Sequence, residues 1–151
     1  MEAGLGLRLR QWLTGPEAGE RSVPDAHLAL AALLVEMMRA DFEDQDAERE
    51  TATRVLAHGC GLERAEAEAL LNRGERAADR SVSLYEHTRT LDTTLSEREK
   101  FDVIAALWEV AYADGTLDGH EDFLAHRLAD LLHVRRSDLM RIKDEVANRA
   151  A

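Results

Sequence analysis

Ala32-Leu33-Leu34-Val35-Glu36-Met37-Met38-Arg39-Ala40-Asp41, followed by Phe42 to Ala47 and then Glu48, returns 73 positions later. The second copy reads Ala105-Ala106-Leu107-Trp108-Glu109-Val110-Ala111-Tyr112-Ala113-Asp114, then Gly115 to His120, then Glu121. Each copy is a Glu, four residues, an Asp, six residues and a Glu, with Ala just before the Asp. Ala32/Ala105, Leu34/Leu107, Ala40/Ala113, Ala52/Ala125 and Arg54/Arg127 match at the same offset without a gap. A match at one fixed offset is the signature of an internal repeat.

Working outward, the chain of 151 residues predicts one domain with a sizeable core. Apolar residues make up 45% and charged residues 32%, as in a water-exposed globular domain. Pro occurs twice, and Ala, Leu, Glu and Arg dominate, so the fold class is all-α. His27 to Ala40 is apolar almost all round and predicts a central helix with Asp25 as its N-cap. Asp46 caps a helix over Ala47 to His58, which Gly59-Cys60-Gly61 ends. Glu63 to about Asp79 is amphipathic, with Ala65, Ala69, Leu70 and Arg73 at helical spacing and Gly74 as a break. Val82, Leu84, Tyr85 and Leu91 mark a shorter helix. Ser96-Glu97-Arg98-Glu99 is a capping box that opens the second central helix, Glu97 to Ala113. A further helix runs from Gly119 or His120 to near Leu132, and Ser137 caps a last one to about Arg149. Residues 1–24 are expected to form an N-terminal helix (Leu5 to Leu13) and a linker (Thr14 to Pro24) that pack on the body. Residues 25–151 form the helical domain, with repeat copies at about 28–60 and 101–133.

The net charge of -11 argues against nucleic-acid binding and favours cations or basic partners. The basic tail of Arg135, Arg136, Arg141, Lys143 and Arg149 is interrupted by Asp138, Asp144 and Glu145. Cys60 is the one cysteine, so no intrachain disulfide forms and a reducing cytoplasm is expected. The longest apolar run, Leu28 to Met38, is too short to span a bilayer and contains Glu36, so no membrane insertion is expected. The N-terminus lacks the order of a signal peptide.

Glu36 is the lone charge between Asp25 and Arg39, and Glu109 the lone charge between Asp102 and Asp114. A carboxylate in such a helix needs a counter-charge, hydrogen bonds or a proton. Glu36 and Asp41 stand about 140° apart on an ideal helix, so they converge only if the chain turns inward after Ala40. Glu36, Asp41 and Glu48 then meet at the mouth of a helical hairpin, as do Glu109, Asp114 and Glu121. Two readings follow. Oxygen donors of this kind suit a hard divalent cation, Ca²⁺ or Mg²⁺. Alternatively Arg54 and Arg127, repeated with the acids, neutralise Glu36 and Glu109, while the turn acids bond amides and helix N-termini. Asp114 to Glu121 fits positions five to twelve of a calcium-binding EF-hand loop, but Val110 and Tyr112 stand where positions one and three need oxygen ligands. Met37, Arg39 and Phe42 exclude that loop in the first copy.

Other constellations are thinner. His126 and His133 share a helix edge with Asp130, a pattern for metal or for a solvated face. His120-Glu121 lacks the second His of a zinc-protease motif, because the next one is His126. Cys60 reads as a small buried residue, the sequence does not assemble a nucleophile–His–acid triad, and it has no phosphate-cradling glycine loop. The chain is therefore expected not to be an enzyme, with a metal-dependent hydrolase as the remotest reading.

The repeated Glu-x4-Ala-Asp with its later Glu resembles the TerB-like tellurite-resistance family. Ala113-Asp114-Gly115-Thr116-Leu117-Asp118-Gly119-His120-Glu121, followed by Leu128 to Val134, is especially similar, and the resemblance spans about Leu28 to Val146. It implies a single compact bundle of about seven or eight helices, a duplicated hairpin in pseudo-two-fold arrangement. It also implies association with metal-stress or envelope-linked systems and a divalent-cation site, here Glu36, Asp41 and Glu48 with Glu109, Asp114 and Glu121. Phe42 departs from the pattern, standing where the second copy has Gly115. The expectation is a non-enzymatic binding or scaffold protein with protein partners, a possible divalent cation and the capacity to form a homo-oligomer. The alternative is a purely structural interaction module whose acids are paired with arginines.

Overall fold

The computed structural model describes residues 25–40, 45–80, 84–113, 115 and 117–150. The expected helix Leu5 to Leu13, the linker to Pro24, Val82 and the acids of the first turn lie outside them. Among the described residues there are seven α-helices and no strand. They are α1 (Asp25–Arg39), α2 (Gln45–Cys60), α3 (Arg64–Arg80), α4 (Tyr85–Thr94), α5 (Glu97–Ala111), α6 (Gly119–Leu131) and α7 (Arg136–Ala150).

Helix α1 is the axis of the bundle, as its apolar run predicts. It packs against α2, α3, α4, α5 and α6. Leu30, Ala31, Ala32, Leu33, Leu34 and Met37 are fully buried, a pattern that covers every face of the helix. Asp25 is the first helical residue rather than the cap before it, so its carboxylate faces the positive end of the helix dipole. Helix α5 is the second inner helix, with Val103, Ala106, Leu107, Trp108 and Val110 buried, and it packs directly on α1.

The stripe on α3 differs from the expected one. Ala65 and Ala69 are exposed, and Ala67, Leu70, Leu71, Gly74, Ala77 and Ala78 face the core. Gly74 does not break the helix, which runs on to Arg80. Its role is close approach: a Cβ there would lie 2.7 Å from the Cβ of Ala31 and 2.8 Å from its carbonyl carbon. Two small residues thus let α3 settle against α1, the helix on which it packs most extensively.

Local signals explain most of the helix ends. Ser96 Oγ accepts the Glu99 N–H at 3.2 Å while the Ser96 N–H donates to Glu99 Oε1 at 2.7 Å, the expected capping box. Helix α2 closes as its glycines predict, with Gly61 at φ 68° and the Leu62 N–H donating to the Ala57 carbonyl at 3.0 Å. Helix α6 ends in the same way, but His133 takes the left-handed position at φ 63°, and the Val134 N–H reaches the Ala129 carbonyl at 2.8 Å. Ser137 does not cap α7. It lies exposed in the first turn, and the Leu139 N–H bonds the Arg135 carbonyl one residue before the helix at 2.9 Å.

Candidate functional site

The repeated acids occupy two environments. Glu48 on α2 and Glu121 on α6, equivalent positions of the two copies, are 0% exposed and are the only buried acidic residues among those described. Glu121 Oε1 accepts the Asp118 N–H at 3.1 Å, and the Asp118 carboxylate accepts the His120 N–H at 2.6 Å. Together they form a capping box at the start of α6. The Asp118-x-x-Glu121 spacing carries that signal in the sequence, although the sequence reading applied it only to Ser96 and Glu99.

Glu36 and Glu109, the acids expected to be most deeply buried, are half-buried instead. Each faces the outer layer. Burial pushes the Glu36 carboxyl above the ordinary range; Arg39 opposes this and the Asp79 carboxylate adds to it. Arg39 in turn binds Asp79 at 2.8 Å, tying the end of α1 to the last turn of α3. Glu109 meets Arg149, whose Nη2 lies 3.3 Å from Oε2, and so ties α5 to the last turn of α7.

Arg54 and Arg127 are both exposed, and Arg54 Nη2 reaches Thr51 Oγ1 at 3.5 Å. Among the described residues, neither forms an ion pair with the four repeated glutamates; the arginine that does is Arg149. Asp41 and Asp114 lie outside the described residues. Among the described residues, no three His, Cys, Asp or Glu side chains are grouped so as to hold a metal ion. The four glutamates supply oxygen donors alone, a donor chemistry that fits Ca²⁺ or Mg²⁺ rather than a soft metal.

The remaining candidates separate. His126 Nε2 leans toward Asp122 at 3.8 Å, whereas His133 lies beyond the end of α6 with Nδ1 3.1 Å from Asp92, so the two rings do not share a site. Asp92 also receives Lys100, the main cause of a carboxyl held below its ordinary range. Cys60 is buried, which pushes its thiol up to about 12 and leaves it without thiolate character at neutral pH. Lys143 bonds Asp122 at 2.9 Å and sits 5.1 Å from the centre of the Trp108 ring, pinning α7 to α5 and α6. A cleft of about 330 Å³ opens among α1, α3 and α4, lined by Asp25, Leu28, Ala77, Arg80, Glu86 and His87. Asp25 and Glu86 lie in first turns and Arg80 in a last turn, so each complements the dipole of its own helix.

No described helix is long and apolar enough to cross a membrane. Comparison with curated proteins and with solved structures gives no match. The family of the tellurite resistance protein TerB matches residues 27–144, from the first turn of α1 to the middle of α7 and through both copies of the repeat. With that match over most of its length, the chain belongs to the TerB tellurite resistance family.

Proposed function

We propose that this protein is a non-enzymatic binding and scaffold module of a metal-stress system like that of tellurite resistance, acting in the cytoplasm on protein partners. In this reading its repeated acids take a hard divalent cation, Ca²⁺ or Mg²⁺. Glu36, Asp41 and Glu48 serve one copy, and Glu109, Asp114 and Glu121 the other. The observation that carries the reading is the burial of Glu48 and Glu121 at equivalent positions. Two buried carboxylates kept at one offset supply a hard oxygen donor in each half, and cation binding is a function that would retain them in both copies. The pseudo-two-fold arrangement belongs to the same proposal. It is supported by the contacts of the two halves, in which α3 packs on α1 and α2 while α7 packs on α5 and α6. Calorimetric titration of chelator-treated protein with Ca²⁺, Mg²⁺ and Mn²⁺ tests it. Binding heat with a rise in melting temperature is expected; no heat and no thermal shift from any of the three overturns it.

A second reading is favoured by one contact. The Glu109–Arg149 pair fits a purely structural interaction module whose acids are held by arginines. On that reading Glu109→Gln destabilises the protein to the same extent with and without cation. A variant of unchanged stability that has lost ion binding refutes it.

A further inference from the structure

We propose that the face of α3 carrying Arg73, Arg76 and Arg80 is a docking surface for a short acidic segment of a partner protein. The inference rests on the scaffold reading, whose partners it gives a chemistry, and draws nothing from the cation reading. The charges of α3 are sorted. Its four acids are all engaged within this chain. Glu66 Oε1 accepts the Glu63 N–H at 2.9 Å, and Glu68 binds Arg64 at 3.0 Å. Glu75 binds Arg49 of α2 at 2.8 Å, and Asp79 binds Arg39 of α1 at 2.8 Å. Arg64 is held by Glu50 as well as by Glu68. The other three arginines of the helix, Arg73, Arg76 and Arg80, are exposed, and none of them forms an ion pair among the described residues. Three and four residues apart, they stand within about 60° of one another and run for about 10 Å along the helix.

This chain has carboxylates to spare, with 30 acidic residues against 19 Lys and Arg. Three guanidiniums left without one, on one face of one helix, are open to carboxylates from outside. The net charge of -11 selects among acidic partners. It repels a long polyanion, such as duplex nucleic acid or an anionic membrane, over the whole surface that approaches. A short segment brings only the few carboxylates that the stripe can meet. The end of the stripe adds an anchor. Arg80 also lines the cleft among α1, α3 and α4, whose apolar wall is Leu28, Ala29 and Ala77. Asp25 and Glu86 line the same cleft, so it takes an uncharged apolar side chain rather than an acid. The occupant that fits is a helical segment with carboxylates on one face over about two turns and a large apolar residue beyond the last of them.

The test uses the full chain and a fluorescein-labelled synthetic peptide of about 16 residues, with three Glu on one helical face and a Leu one turn beyond. Anisotropy reads the affinity, and amide chemical-shift changes read the place. Wild type is expected to bind, with shifts confined to the C-terminal half of α3 and the residues of the cleft. Replacing the three Glu of the peptide by Gln, or Arg73, Arg76 and Arg80 together by Gln in the protein, weakens binding about eightfold, about twofold for each exposed ion pair. Arg98→Gln, Arg127→Gln and Arg136→Gln together remove the same charge from exposed positions on three other helices, and are expected to leave the affinity nearly unchanged. No binding by wild type, or equal binding by the α3 variant, overturns the proposal. Equal losses in the two triple variants overturn it as well, because they report general charge alone. It also falls if duplex DNA or phosphatidylserine vesicles bind this face more tightly than the peptide, or if the protein self-associates in sedimentation and the α3 variant does not. A peptide that binds with its shifts elsewhere refutes this surface and leaves the scaffold reading standing. Cation titration, which tests that reading, is expected to be the same for wild type and the α3 variant, so the two fail separately.

Discussion

Gly74→Ala is the substitution whose sign separates local from tertiary control of this fold. In the interior of an exposed helix, replacing Gly by Ala gains about 1 kcal/mol, because the unfolded chain loses freedom and the helix loses none. Gly74 lies in the interior of α3, so propensity alone predicts a more stable protein. The packing predicts the opposite. The new Cβ would lie 2.7 Å from Ala31 Cβ, 2.8 Å from its carbonyl carbon and 3.0 Å from its carbonyl oxygen. Carbon atoms pack well at roughly 3.5–4.0 Å. Two of the three neighbours are backbone atoms, so no rotamer change relieves the contact.

Helix α3 must therefore retreat from α1 by about 1 Å, and α1 cannot yield because it is enclosed by four further helices. Overpacking of this kind costs about 1–3 kcal/mol, and a backbone clash belongs at or above the top of that range. After the propensity gain, the expected net loss is about 2 kcal/mol. For a chain of this size that lowers the melting temperature by about 4–8 °C. Urea and thermal unfolding of the variant check it. Gly119→Ala is the control, since a Cβ there meets nothing within 4 Å and should leave stability nearly unchanged. A Gly74→Ala protein more stable than wild type by about 1 kcal/mol would refute the close approach of α1 and α3.

Four further outcomes are expected. His133→Gly should stabilise the protein by about 0.5–1 kcal/mol in urea titrations, because Gly adopts the left-handed φ of 63° without strain and the exposed ring loses little at Asp92. Asp92 is depressed mainly by Lys100, so its stabilisation is present above the unfolded carboxyl value near 3.9 and is lost as pH falls through the lower folded value. Urea midpoints of wild type and Asp92→Asn should therefore converge in strong acid. Ser96→Ala removes an N-cap that accepts the Glu99 N–H, and should cost about 1 kcal/mol by the same measurement. Glu36→Gln and Glu109→Gln should act oppositely in cation-free buffer at neutral pH. The first relieves a carboxylate that burial and Asp79 disfavour, whereas the second breaks an ion pair. For wild type, the Glu36 contribution makes stability fall as pH rises from its unfolded to its raised folded value, and Glu36→Gln should flatten that slope.

The helical order was legible because each helix carries its own local signal. The apolar run of α1, the capping box of α5 and the glycines after α2 are satisfied within a few residues of the chain. The features that escaped depend on a distant partner. Gly74 reads as a breaker until Ala31 lies against it, and the stripe on α3 turns toward Ala67 and Leu71 because that face meets α1. His133 gives no sign of a left-handed residue, since Gly takes that position after α2 and the ring contact to Asp92 spans 41 residues. Ser137 follows Arg136, and the choice of first helical residue there was settled by a backbone bond to Arg135.

The acids show how a correct pattern can point to the wrong burial. A lone Glu in an apolar helix is conspicuous, so the sequence pattern places the deepest carboxylates at Glu36 and Glu109. A long side chain on an apolar helix can still leave the core at its edge: both residues are half-buried, and Glu109 reaches Arg149 in the last turn of α7. Glu48 and Glu121 are inconspicuous because their neighbours are charged: Arg49 and Glu50 in one copy, His120 and Asp122 in the other. Glu50 and His120 are exposed and Arg49 and Asp122 half-buried, whereas the glutamate between them is fully buried. Helical composition averages over all faces, so a buried acid in a charged helix is invisible to it. The repeat is not averaged in this way. It returns Glu48 at Glu121 at the same offset as the rest, and that coincidence, rather than local polarity, was the signal for the two carboxylates the fold encloses.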